Sequence, residues 1–584
     1  MKYLAAAFAF ASVALAPLHA APADDYRDLR DDVWEWTLDN SPMTATQVGD
    51  RRGDGKLVDM SLARYEASIA ETRAFLARLE AIDEDALPQD LRIDHAILKR
   101  SFEDELAGAQ FDHDRFVVFT NRGGWFAYFG SLPYGSPLFT LADYQSYVGR
   151  LESFAAVNEQ GIARSREAVA RGLTQACEPM EGLEARIESM IVEDPVESPL
   201  WLPFKERPST ITEAQWTQLK ARARTALETG VMPAYRDFRD FYVEEYSPEC
   251  RTGMPGVLAT PRGEEYYAYR VKSFTTTDMT PDQIHQLGLS EVARIRAEME
   301  TVAEDAGFAS REAFIEHLRT DPQYYPETPE ELLEAAGALA KQIDGWMPKL
   351  FGTLPRQPYT VLPIPAAQAP GNTTAYYESG SLATGQPGIY RVNTTELDQR
   401  PLWELPALGV HEAVPGHHHQ IALQQELDIH PLRQHGTFFT AFVEGWGLYS
   451  ERLGIEMGLY DTPAKEMGRL SYEMWRASRL VVDTGIHSKG WSKQRAVDFM
   501  LDNTALSAGN IDAEVNRYIT WPGQALAYKI GELKIRELRT RAETALGSEF
   551  SLRDFHDAVL ENGAVPLDVL EAHIDRWIAA QQDS

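Results

Sequence analysis

Residues 411–420 read HEAVPGHHHQ, a histidine and a glutamate followed closely by three consecutive histidines. Imidazoles beside a carboxylate are a donor set for zinc, and a neighbouring free carboxylate can take a proton from water. A zinc-protease helix written H-E-x-x-H needs its second histidine four residues after the first, because about 3.6 residues per turn then returns both rings to one face. Here that position is Pro415, and Gly416 follows it. On a regular helix the sixth residue on lies about 120° round the axis. The seventh returns to the face about 10 Å farther along, too far for two ligands with bonds of ~2.0–2.1 Å. Proline cannot donate its backbone bond and glycine tolerates unusual dihedrals, so the pair can loop out two residues and let the helix resume. His411 and His417 then converge with Glu412 aimed at the water, and His418 stays open as the alternative ligand. Six of the fourteen histidines fall between 411 and 435, which sets this segment apart from the rest of the chain.

A zinc hydrolase also needs a third protein ligand and one open position. FVEGWGLYSERLG, residues 442–454, offers Glu444 and Glu451 in an otherwise aromatic and apolar stretch, where a carboxylate is costly to bury without a cation. Glu444 is read as the ligand and Glu451 as the group that orients a ligating histidine. The competing reading is a salt-bridged pair on a helix surface. His487 in DTGIHSKGW and Tyr528 in WPGQALAYK are candidates to hydrogen-bond an oxyanion, and a loop histidine and a buried tyrosine are the competing readings. Arg517 and Lys529 are candidates to hold a substrate carboxylate.

Helices must position these groups. TPDQIHQLGLSEVARIRAEME starts with Thr280, Pro281 and Gln283, a capping box with proline at the first helical position, and TPEELLEAAGALAKQIDGW repeats the device with Thr328, Pro329 and Glu331. YEASIAETRAFLARLEAI and ARARTALETGVMPAYRDFRDFYVEEY also carry helical periodicity. Residues 359–395 break the pattern, with β-prone runs at 360–362, 374–377 and 389–393. Such a sheet either caps the helices as a surface hairpin or offers an edge strand at 389–393, with Tyr390 and Asn393, to an extended peptide.

The N-terminus, MKYLAAAFAFASVALAPLHAAPA, has a basic residue, a short apolar run and small residues around 20–23. It reads as a signal peptide over 1–20, cut after 20 or alternatively after 23, and its apolar run is too short for a transmembrane anchor. No cysteine lies nearby, so a soluble exported protein, periplasmic or secreted, is expected. The net charge of -32 excludes a nucleic-acid partner, which needs a basic face. Cys177 and Cys250 are the two cysteines, enough for one disulfide and too few for a structural zinc cluster.

HEAVPGHHHQ with VEGWGLYSE, then VVDTGIHSKGW and RYITWPGQALAYKIGELKIRELR, resembles the bacterial domain-of-unknown-function family 885, most distinctly in the C-terminal half. That family is similar to the helical zinc peptidases of the gluzincin kind, which include angiotensin-converting enzyme and thermostable carboxypeptidases. Its stretched motif is similar to the H-E-x-x-G-H of dipeptidyl peptidase III, with one residue more. The resemblance implies a mainly α, two-lobed fold with a small β element beside the cleft. The lobes expected are an N-terminal one over 24–270 and a catalytic one over 271–584. It also implies hydrolysis of oligopeptides, first as a carboxypeptidase or dipeptidyl carboxypeptidase, with Zn2+ as cofactor and Glu412 as general base. The alternatives are an amidase acting on a non-peptide amide, and a peptide- or metal-binding protein without turnover.

Overall fold

The helix expected after Thr280 spans Pro281–Asp305 in the computed structural model, which describes residues 22–365, 369 and 372–583. Its capping box is complete: Thr280 Oγ1 accepts from the Gln283 amide, and Gln283 Oε1 accepts from the Thr280 amide. The second box is half made. Thr328 accepts from the Glu331 amide at the start of Pro329–Asp344, but the Glu331 carboxylate turns to the Glu327 amide. The segment ending in YRDFRDFYVEEY is helical with two wide π turns, Leu227–Val231 and Tyr242–Tyr246. The first of them leads into Pro233, which has no amide to donate. The export segment expected over residues 1–20 lies outside the described residues.

Helices dominate, and the one sheet among the described residues has three strands: β1 (Tyr359–Pro363), β2 (Ala375–Glu378) and β3 (Gly388–Val392). The order is β1-β3-β2, with β3 parallel to β1 and antiparallel to β2. This corrects the peptide-binding edge placed at 389–393. β3 is central and its main chain is used on both sides. Tyr390 is fully buried, and the buried Asn393 amide donates to the carbonyls of Ala369, Asn372 and Thr373. Strand order in space is set by which run buries both faces, and the edge beside the cavity described below is β2.

Residues 119–246 build an aromatic core of their own, in which Trp125, Phe154, Tyr235 and Phe238 pack together. The Cys177–Cys250 disulfide links two points 73 residues apart at its border. Residues on either side of that stretch, such as Ile97, Phe111 and Tyr267, pack instead with Trp446, Tyr449 and Leu526. In the C-terminal half the helix Pro463–Lys489 lies along Pro281–Asp305, and Thr440–Glu456 lies along Ala527–Leu546. The last pair touch backbone to backbone: a Cβ on Gly531 would stand 1.8 Å from the Ala441 carbonyl oxygen. Among the described residues no helix is long and apolar enough to cross a membrane.

Candidate metal centre

The helix Leu405–Glu412 is buried along its whole length and delivers His411 in its last turn. Residues 413–416 then leave helical geometry, and a separate helix, His417–Glu426, begins with the first of the three histidines. The expected two-residue bulge in one helix is thus a full break between two. Pro415 removes a donor, while Ala413 (ψ -110°) and Gly416 (ψ -127°) take the chain round the corner. The break is held from outside, because Trp446 Nε1 donates to the Pro415 carbonyl at 2.8 Å.

The rings of His411 and His417 meet at 4.7 Å between centroids, nearly perpendicular, and both face Glu444 on Thr440–Glu456. Glu444 Oε2 lies 3.3 Å from His417 Nε2 and 3.6 Å from His411 Nε2, and one ligand atom of each residue falls within 4.8 Å of the others. Two ligands at ~2.1 Å from a tetrahedral metal stand about 3.4 Å apart. Glu444 Oε2 and His417 Nδ1 are buried without a hydrogen-bond partner among the described residues, so the cluster is not closed by its own hydrogen bonds. A cation among the three would satisfy the carboxylate, and the donor set fits zinc.

The surroundings hold His411 in place. His411 Nδ1 is 2.9 Å from Glu451 Oε1, which is itself 3.0 Å from the Arg476 guanidinium, and Arg476 lies over Trp475 at 4.4 Å. On the other side Gly447 leaves room for the ring, since a Cβ there would fall 2.8 Å from His411 Cε1. Burial alone would pull the His411 pKa down, but Glu444, Glu451 and Glu412 outweigh it and raise it to about 9. Burial would raise Glu444, yet the two imidazoles hold its carboxyl well below the usual range. A metal entering here would have to displace the His411 proton, so its affinity would weaken as the pH is lowered.

The three residues open on a cavity of about 900 Å³, shared with Glu412, Trp475, Tyr528 and β2 residues Ala375–Tyr377. Tyr528 stacks 6.4 Å from the His411 ring, and its hydroxyl accepts from Arg517 Nη2 at 3.0 Å. His411, Glu412, His417, Glu444, Glu451, Arg517 and Tyr528 are therefore brought together.

Others are not. His418 turns to the sheet, with Nε2 3.1 Å from the Gln357 carbonyl and Nδ1 3.0 Å from Tyr377 Oη, which removes it as the alternative ligand. His419 is buried against Phe351. His487, expected at the oxyanion, is buried away from the cavity: Nδ1 accepts from the Val257 amide, Nε2 donates to the Tyr518 carbonyl, and burial lowers its pKa to about 4. Lys529, expected to meet a substrate, is fully buried between Glu291, Glu473 and Glu532 at 3.1, 3.0 and 2.9 Å. A lysine in an apolar helix reads the same in sequence whether it serves a ligand or an internal ion cluster. Sequence reasoning also passed over Arg122, Arg479 and Glu514, which gather at Arg517. The one signal was the density of arginines in WRASRL and its surroundings.

No curated protein sequence matches the chain. Among solved structures, a protein of Colwellia psychrerythraea provisionally described as a lipoprotein is 28% identical. It superposes with a TM-score of 0.88 over 96% of this chain and 99% of its own. A similarly described protein of unknown function from Shewanella oneidensis shares the fold at 19% identity, with a TM-score of 0.66 over 95% and 99% of the two chains. The family model for a bacterial protein of unknown function, DUF885, matches residues 42–574, and the chain belongs to that family.

Proposed function

We propose that the protein is an exported zinc-dependent hydrolase that cleaves peptide bonds in oligopeptides as an exopeptidase. The observation that carries this is the convergence of His411, His417 and Glu444 within 4.8 Å, beside the buried carboxylate of Glu412, on a cavity large enough for several residues of peptide. His411, His417 and Glu444 would hold a zinc ion, which would supply Lewis-acid activation of water. Glu412 takes the proton from the attacking water and returns it to the leaving amine. Tyr528, facing His411, donates a hydrogen bond to the carbonyl oxygen as charge builds on it. Glu451 is a positioning residue that fixes the His411 tautomer through Nδ1. The β2 edge runs along the cavity and can pair with an extended chain. Export is supported by the N-terminal sequence and by the description of both similar proteins as lipoproteins.

The test is metal analysis with a peptide-library digest read by mass spectrometry. Wild-type protein should hold one zinc and lose turnover on chelation, and Glu412→Gln should keep the zinc and lose turnover by about 10²–10⁴. Near-normal turnover in that variant sinks the mechanism. A metal-bound protein that cleaves no peptide points instead to a binding protein or to another amide.

A further inference from the structure

We propose that Arg122, Arg479 and Arg517, gathered on the single carboxylate of Glu514, form a subsite for the C-terminal carboxylate of the peptide. Calling that peptide a substrate rests on the reading above, whereas the anion site does not. All three arginines line the cavity that holds His411, His417 and Glu444. Arg479 Nη2 is 2.8 Å from Glu514 Oε2, Arg517 Nη1 is 3.4 Å from the same oxygen, and Arg122 Nη1 is 3.8 Å from Oε1. Glu514 is 1% exposed and burial would raise its pKa, but Arg517, Arg479 and Arg122 hold it at about 2. Three guanidiniums against one carboxylate leave two positive charges without a counter-charge in a protein whose net charge is -32.

The neighbours do not cancel that surplus. Tyr518 Oη accepts from Arg479 Nε at 2.9 Å, Tyr528 accepts from Arg517, and Asn372 Oδ1 accepts from Arg122 at 3.1 Å. These are neutral groups, and burial pushes both tyrosines further from ionising. Arg479 Nη1 has no hydrogen-bond partner although it is buried, and the guanidinium is clamped between Trp475 and Tyr528 at 4.5 and 4.3 Å. The remaining arginines of the cavity are committed elsewhere. Arg251 donates to four backbone carbonyls, Arg270 faces Asp114, and Arg476 supports Glu451. A planar carboxylate would give the open Arg479 Nη1 an acceptor beside the other two guanidiniums.

Position makes the anion a chain end. Tyr528 touches both parts of the cavity, its ring 6.4 Å from the His411 ring and its hydroxyl 3.0 Å from Arg517. An extended peptide advances about 3.3–3.6 Å per residue, so at most three or so residues separate the metal centre from the arginines. A main chain that leaves the scissile bond toward them meets the charge at its C-terminus.

The experiment is isothermal titration of the Glu412→Gln protein, zinc-loaded and zinc-free, with N-acetyl-Ala-Ala, its C-terminal amide, and N-acetyl-Ala-Asp amide. The free acid should bind roughly thirtyfold or more tighter than the alanyl amide, and Arg122→Gln should cut that ratio about tenfold while leaving amide binding in place. Arg122 has the most exposed side chain of the three and the variant should fold, which circular dichroism checks, whereas Arg479 and Arg517 are unsafe to remove. Equal binding of acid and amide overturns the proposal. So does an equal loss for both in Arg122→Gln, or a preference for the aspartyl amide, which would make the site one for side chains. If the hydrolase reading alone fails, the acid preference survives in zinc-free protein. If the subsite alone fails, peptides are still cut, with free and amidated ends alike.

Discussion

Two clusters of buried charge lie along the helix Pro463–Lys489, and they are built on opposite principles. Around Glu473, five cations (Lys529, Arg294, Arg452, Arg469 and Arg536) face five carboxylates (Glu291, Glu298, Glu466, Glu473 and Glu532). The cluster at Glu514 has three cations for one carboxylate and borders the cavity. A buried charge without a partner is expensive, so a balanced set marks a place where the fold needs only to hold together. A surplus facing a cavity marks a place where the missing charge arrives from outside.

The largest effect that would break this comparison is at the balanced end. Glu473→Gln leaves five cations facing four carboxylates and should cost about 3–5 kcal/mol in urea denaturation. A cost below ~1 kcal/mol would mean that the cluster is wetter than its burial indicates.

Asp483 is the intermediate case, a buried acid that accepts from Tyr267 Oη and the Gly523 amide with no salt-bridge partner among the described residues. Burial raises its pKa to about 7. Because the folded value lies above the unfolded one, its contribution is full below about pH 4 and is lost as pH rises through 7. Wild-type stability should fall by a few kcal/mol from this group between pH 4 and 8, and Asp483→Asn should flatten that fall. An unchanged pH profile in the variant would assign the loss to other groups.

Ligand-induced stability sharpens the surplus end. N-acetyl-Ala-Ala at about a hundred times its Kd should stabilise the Glu412→Gln protein by roughly 2.7 kcal/mol. The same concentration should give only about 1.4 kcal/mol once Arg122→Gln weakens binding tenfold. Thermal shifts that match for the two proteins would separate Arg122 from the anion. Smallest of all, Arg122→Gln without ligand should change stability by less than about 1 kcal/mol, because it removes one of two surplus charges. A loss as large as that of Glu473→Gln would put Arg122 with the structural ions.

What could be read in advance follows the range of the interaction. His411, Glu412, His417 and Glu444 were legible because two short segments carry them and the Pro415–Gly416 pair explains their spacing. The capped starts at Thr280 and Thr328 were legible for the same reason. Pairing order was not: β3 follows β2 in sequence yet sits at the centre of the sheet. Lys529 and His487 were misplaced because a polar residue in an apolar segment signals burial or chemistry equally. The Glu514 cluster joins Arg122 to Arg479, Glu514 and Arg517 far along the chain, which no local pattern announces. Gly447 and Gly531 likewise show their purpose only against His411 and Ala441.

The helix Pro463–Lys489 carries both Arg476, which acts on His411 through Glu451, and Arg479, which meets Glu514. Three residues of helix rise separate them, about 4.5 Å along the axis. That rise works as a gauge: on the proposed reading, the offset between the support of the metal centre and the anchor for a peptide's end is written in a rigid rod rather than in loops. On the proposed reading, loop exchange would alter which side chains a relative accepts, while an insertion or deletion inside this helix would alter the length of the fragment removed.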